Sequence, residues 1–186
     1  RGLGDVYKRQ NGISGDFDMI FSCPPYADLE VYSNDPRDIS NMDYAQFIEA
    51  YKRIIKQSCS RLKNNRFAVF VVGDIRDKKG IYRNFVSHTI EAFTGCGLHY
   101  YNSLILVNQI TSLAIRVRRQ FNGTRKVGKV HQNVLVFCKG SVEETIDSFE
   151  ELQVKKALEI FNKSRENSNL HDCLLYTCPS PRDRSL

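Results

Sequence analysis

The residues whose types and spacing best suit chemistry are Cys23-Pro24-Pro25-Tyr26, which follow the short apolar run Asp18-Met-Ile-Phe-Ser22. Two consecutive prolines hold the backbone extended, remove two N–H donors and end any pairing ladder, so the run before them reads as a strand that stops there. The carbonyl oxygens of the turn can then accept from a substrate, and the ring of Tyr26 can lie on a planar one. This combination suits the exocyclic amino group of a nucleobase. The lone pair of such an amine is delocalised into its ring; two acceptors that hold its two hydrogens favour a pyramidal nitrogen able to attack an activated methyl group. Reaching the turn requires the base to leave a duplex, at roughly a few kcal/mol, which stacking on Tyr26 offsets in part. A purely structural reading competes, in which Pro-Pro ends a strand and Tyr26 packs at the surface. Cys23 does not read as a nucleophile, because it precedes Pro and has no Lys, Arg or His beside it to lower its thiol pKa.

The elements that must position this turn alternate between strand and helix. Tyr44, Phe47, Ile48, Tyr51, Ile54, Ile55 and Leu62 recur at helical spacing, with Asp43 as N-cap and Gln46 as its capping-box partner. Phe67-Ala-Val-Phe-Val-Val72 is apolar on both alternating faces, as in a central strand of a parallel sheet, and Gly73-Asp74 ends it. Tyr82, Phe85, Val86, Thr89, Ile90 and Phe93 mark a second helix, closed by Gly95 and Gly97, and a strand runs from about Leu98 to Val107. Gln132 to Cys138 forms the last strand. Ser141 and Glu144 open a charged helix predicted to reach about Lys163. The order β-α-β-α-β-β-α is that of the second half of a doubly wound α/β sheet, in which ligands sit outside the carboxyl ends of strands.

Between the last two strands, residues 116–131 hold Arg116, Arg118, Arg119, Arg125, Lys126 and Lys129, no acidic residue, and the breakers Asn122-Gly123 and Gly128. We read this as a flexible basic loop that attracts phosphates; a solvated loop accounts for the composition equally well. Asp74 reads as a strand-ending turn residue, His88 and His99 as structural, and His131 as a minor DNA contact. Asp28, Glu30, Asp35 and Asp38 make an acidic loop, read as solvated or as a mobile lid. No group has metal-ligand spacing, and Cys23, Cys59, Cys96 and Cys138 contain no C-x-x-C pair. The strand, glycine-rich turn and helix that would bind a nucleotide-like cofactor have no candidate: Gly12-Ile-Ser-Gly15 has neither the strand before it nor the helix after it.

The 186 residues carry a formal charge of +6, with 41% hydrophobic and 26% charged residues, values of a soluble globular domain. The longest apolar run, Phe67 to Val72, is far short of a membrane span, and no leader is recognised. Both ends read as foreign. One short DNA sequence, read on its two strands, encodes Asp5-Val-Tyr-Lys-Arg-Gln10 in one direction and Cys173-Leu-Leu-Tyr-Thr177 in the other; it resembles a transposon-end sequencing adapter. Residues 1–10 and 173–186 are therefore set aside as artefact, which removes half of the +6. A partial domain over 11–140 and a helical extension over 141–172 are expected, from a gene truncated at both ends.

At the quoted residues the sequence resembles the amino-methyltransferases that use S-adenosylmethionine, whose hallmark is Pro-Pro-aromatic preceded by Asp, Asn or Ser. Phe17 to Tyr26, with Phe67 to Asp74 and His131 to Gly140, is similar to the DNA N4-cytosine/N6-adenine methylases of prokaryotes and phages. The resemblance implies the C-terminal half of a Rossmann-like methyltransferase sheet, with S-adenosylmethionine as cofactor and cytoplasmic double-stranded DNA with a flipped base as partner. It implies a catalytic turn of Cys23, Pro24, Pro25 and Tyr26, with DNA contacts from the basic segment. The chain departs from the family at Cys23 and in lacking the glycine-rich motif, so it is expected to be inactive alone and not to bind S-adenosylmethionine measurably. RNA and protein-glutamine methyltransferases share the motif and stay open as alternatives, as does a non-catalytic nucleic-acid-binding remnant.

Overall fold

The computed structural model describes residues 15–27, 32–35, 38–108, 113–149, 156, 158–160 and 162–163. The two terminal segments read as adapter lie outside these residues, as do Gly12, Asp28 and Glu30. The chain divides into two compact units, residues 1–145 and 146–186. No helix among the described residues is long and apolar enough to cross a membrane.

In chain order the elements are β1 (Phe17–Ser22), a single 3₁₀ turn (Ile39–Asn41), α1 (Tyr44–Ser60), β2 (Leu62–Val72), α2 (Phe85–Thr94), β3 (His99–Val107), α3 (Leu113–Thr124), β4 (His131–Lys139) and α4 (Val142–Asp147). The side chain of Asp43 accepts from Gln46 N at 2.9 Å, so α1 begins where its cap predicts. Its apolar stripe of Phe47, Ile48, Tyr51, Ile55 and Cys59 is buried. Leu62, spaced as a further helical residue, instead opens β2: the helix ends at Ser60 with Arg61 as its C-cap. β2 is irregular near its start, where Asn65 has φ 59° and the pairing slips between Phe17↔Leu62 and Met19↔Phe67.

The sheet order is β1-β2-β4-β3. β1 and β2 are parallel, whereas β4 is antiparallel to both β2 and β3. β2 is thus central, as its two-sided apolar pattern requires, but its surroundings are mixed rather than wholly parallel. β1, β2 and β3 share one direction, with β4 inserted against them. On one face Ala68, Phe70, Val72, Leu135 and Phe137 are buried beneath α1 and α2. Phe93 packs between Phe70 and Phe137, with ring centroids 4.8 and 4.2 Å away, and each such buried side chain contributes about 1.5–3 kcal/mol. The register puts Met19, Phe21, Leu104 and Leu106 on the opposite face, where they are 45–64% exposed.

Two further expectations change. The basic segment between the last strands is not a loop: its first half is α3, and the helix carries Arg116, Arg118 and Arg119. Leu113, Val117 and Phe121 stand four residues apart, and arginine is a good helix former, so a helical stripe lies beneath the charge. The charged C-terminal helix stops at Asp147 rather than continuing through Lys163, although residues 156, 158–160 and 162–163 are helical. At its start Ser141 Oγ accepts from Glu144 N at 3.4 Å.

Candidate functional site

Because β1, β2 and β3 run parallel and β4 runs back, one end of the sheet collects three strand exits and one entry. The chain leaves at Cys23, Gly73 and Asn108 and returns at His131. Asn108 N donates to Val130 O at 2.7 Å, closing the base of the last crossover. The Pro-Pro turn, the segment after β2 and the basic segment therefore lie at one end of the sheet, the first and last leaving opposite edge strands, although roughly 50 to 100 residues separate them in the sequence.

Ser22, the last paired residue of β1, lies opposite Phe70. Beyond it Cys23 is exposed, Pro24 buried, and Pro25 and Tyr26 half-buried. Ala27 is fully buried with φ 52°, a left-handed conformation that only a tight environment holds in a residue with a Cβ. Tyr26 is not loose at the surface. Its ring meets Phe85 edge-on at 5.8 Å and 66°. Phe85 is itself fully buried and contacts Tyr51 at 5.2 Å and Phe47 at 5.7 Å. The aromatic core thus fixes the orientation of the Tyr26 ring.

Phe85 is placed in turn by the start of α2. Asn84 precedes the helix in a left-handed conformation and gives no side-chain cap. Asp74, at the end of β2, reaches across instead and accepts from Val86 N at 3.2 Å. The Tyr44 hydroxyl donates to Arg83 O at 2.9 Å and lies 3.0 Å from His88 Nδ1, tying α1 to the same place and making His88 structural, as its spacing predicts. Burial pushes the Tyr44 phenol up to about 12, so it stays a neutral donor at physiological pH. His99 starts β3 at the opposite end of the sheet.

Asp38 does not behave as a solvated member of an acidic loop. It is fully buried and accepts from Ser33 Oγ at 2.8 Å, Ser40 N at 3.0 Å and Ser40 Oγ at 2.9 Å. Burial works to raise its pKa, but the hydrogen bonds from Ser40 and Ser33 outweigh it and hold the carboxyl below the usual value. The residues ahead of α1 are therefore clamped from within.

Arg118, Arg119 and Arg125 are exposed, and Lys126 and Lys129 lie at the same crossover, both half-buried; the side chain of Arg116 lies outside the described residues. Arg125 follows α3 with φ 56°, its guanidinium 5.5 Å from the Phe121 ring centroid. Asn122-Gly123, read as a turn, lies within the last turn of the helix. The sequence reading missed Arg76, on a small hairpin after β2 in which Arg83 N donates to Ile75 O and Asp77 N to Ile81 O, both at 2.9 Å. Only the spacing of Arg76 and Tyr82, six residues apart, hints at it.

The described residues do not fit a nucleotide-like cofactor. Such a group needs a helix N-terminus opening from a glycine turn after a strand. The N-termini of α1 and α2 are instead filled by carboxylates of the protein, Asp43 and Asp74. β1 is followed by prolines.

Compared by sequence, the chain matches no family model and no curated protein. Solved structures do match. A Thermus thermophilus protein designated a DNA modification methylase, complexed with S-adenosyl-L-methionine, superposes with a TM-score of 0.54 at 14% identity, over 82% of this chain and 58% of that one. The PvuII cytosine-N4-specific DNA methyltransferase superposes with a TM-score of 0.52 at 13% identity, over 69% and 45%. The chain has the α/β methyltransferase fold of these structures and spans about half their length.

Proposed function

We propose that the chain is the target-base part of a DNA amino-methyltransferase acting on cytosine N4 or adenine N6, and that S-adenosylmethionine, the ligand of the Thermus thermophilus structure, is the methyl donor. The observation that carries the proposal is the delivery of Cys23-Pro24-Pro25-Tyr26, by a parallel strand, to the end of the sheet that also bears the basic helix. In this reading the carbonyls of Cys23 and Pro24 accept the two hydrogens of the amine, and Pro25 keeps the turn extended. Tyr26, its ring braced by Phe85, stacks the flipped base. Arg116, Arg118, Arg119, Arg125, Lys126 and Lys129 hold the phosphate backbone. Cys23 supports the amine through its carbonyl, its side chain being a weak acceptor. No described residue is assigned to the methyl donor.

The test is expression of the gene carrying this chain, with the coding sequence that adjoins it, in a host free of DNA methylation, followed by mass spectrometry of the nucleosides. N4-methylcytosine or N6-methyladenine supports the proposal; a folded product that yields neither refutes it. Label transferred from tritiated S-adenosylmethionine to RNA or protein instead would move the target class. The poor fit to a cofactor favours a second reading, a nucleic-acid-binding remnant. Calorimetric titration of this chain with S-adenosylmethionine separates the two, because micromolar binding would overturn the remnant.

A further inference from the structure

The hairpin after β2 and the end of α3 enclose an open cleft of about 570 Å³ lined by Arg76, Arg119, Gln120, Thr124, Lys126 and Val127. Half of these lining residues are cationic and none is acidic. Asp77, the nearest carboxylate along the hairpin, is turned into its own loop and accepts from Ile81 N at 2.8 Å.

Arg76 is held flat. Its guanidinium lies 3.7 Å from the centroid of the Tyr82 ring, and Nη1 donates to Gly80 O at 2.7 Å. A stacked guanidinium keeps a rigid fork of donors and gives up little freedom on binding. Lys126 closes the other side. Its Cε and Nζ lie against Gly80, where a Cβ would push the flexible lysine aside, and Gly80 has φ 86°, a conformation that favours glycine. Glycine at the hairpin tip thus allows the amine of Lys126 to meet a loop that leaves the sheet roughly 50 residues earlier. Like charges gathered around an open volume repel one another, and an anion entering it relieves that repulsion.

We propose that Arg76, Arg119 and Lys126 form a phosphodiester-binding cleft that grips the DNA backbone beside the Pro-Pro turn. The inference rests on the DNA reading above and adds to it a residue outside the basic segment. Gln120 supplies a neutral hydrogen-bonding group on the helix side, while the Thr124 hydroxyl donates to Gln120 O at 2.8 Å.

The test is fluorescence anisotropy of the full chain with a labelled DNA duplex of mixed sequence across a salt series. Removing one cation from a phosphate lowers the slope of log K against log salt by about 0.9. Arg76→Gln and Arg119→Gln should each lower it by about that amount. Arg76→Lys should keep the slope, and Arg53→Gln, which removes an exposed arginine of α1, should leave it unchanged. Circular dichroism melts confirm that the variants fold. If Arg119→Gln lowers the slope and Arg76→Gln does not, the cleft is refuted while the DNA reading stands. If the unsubstituted chain binds without salt dependence, both fall. Tighter binding of duplex RNA overturns the choice of DNA.

Discussion

The position of Tyr26 depends on Phe85, and that dependence is measurable as a coupling energy. Phe85 is fully buried, with ring centroids of Tyr51, Phe47 and Tyr26 at 5.2, 5.7 and 5.8 Å. Aromatic pairs at such distances contribute about 0.5–1.5 kcal/mol each beyond the area they bury. Phe85→Leu keeps most of the buried volume, so its cost comes chiefly from three broken ring pairs, about 1.5–4.5 kcal/mol in all. Tyr26→Leu removes only one of these pairs. A double-mutant cycle on Tyr26 and Phe85, followed by urea unfolding with circular dichroism detection, should return a coupling of about 0.5–1.5 kcal/mol. A coupling within the scatter of independent sites, about 0.3–0.5 kcal/mol, would refute the claim that the core orients the Tyr26 ring. If the ring is so held, the same Phe85→Leu substitution should weaken base stacking without touching any DNA-binding side chain.

Asp74→Ala should destabilise the chain by about 1 kcal/mol, because Val86 N loses the acceptor that caps α2, and Asp74→Asn should recover most of that in the same urea assay. Gly80→Ala forces a left-handed backbone onto a residue with a Cβ and displaces Lys126; a loss of about 1–2 kcal/mol is expected by thermal melting. Asp18 accepts from Lys63 Nζ at 3.0 and 3.1 Å and from Arg66 Nε at 3.1 Å, and these bonds, Lys63 first, hold its carboxyl below the usual 3.8. With the folded value lowered, its stabilisation is complete above pH 3.8 and fades as pH falls further. Asp18→Asn should therefore flatten the acid limb of the stability curve by lowering the neutral region to meet it, by the same small amount, the pair being exposed.

Much of this architecture is legible in the residues because burial has a period. The alternation in Phe67 to Val72 and the stripe from Phe47 to Cys59 each face one core, and Asp43 marks where the second begins. Strand direction carries no such mark: nothing in Gln132 to Cys138 distinguishes an antiparallel strand from a parallel one, so the sequence does not foretell the insertion of β4. α3 is hidden for a different reason. Its apolar residues Leu113, Val117 and Phe121 are diluted by Arg116, Arg118 and Arg119, and the helix ends near Asn122-Gly123, a pair that reads as a turn although it lies within the helix. In the site, the Pro-Pro turn can be recognised because proline constrains its own backbone. Phe85 under Tyr26, Asp74 on Val86 and Arg76 beside Lys126 are meetings between distant segments, and no local pattern encodes them. Asp38 shows the reverse error, since a carboxylate in a polar stretch looks solvated until Ser33 and Ser40 are seen to satisfy it.

The placement of β4 also bears on how the chain is made. β2 and β3 are both finished before β4 exists, yet neither pairs with the other; the gap between them is shaped for the last strand. About sixty residues separate the end of β2 from the start of β4, roughly 3–12 s of synthesis at about 5–20 residues per second. Throughout that interval β2 presents an unfilled edge, and for about its last 25 residues β3 presents a second. A nascent chain arrested before His131 would therefore be more prone to aggregate than one carried through to Lys139, and the order in which strands leave the ribosome, as much as their composition, sets the moment of greatest risk.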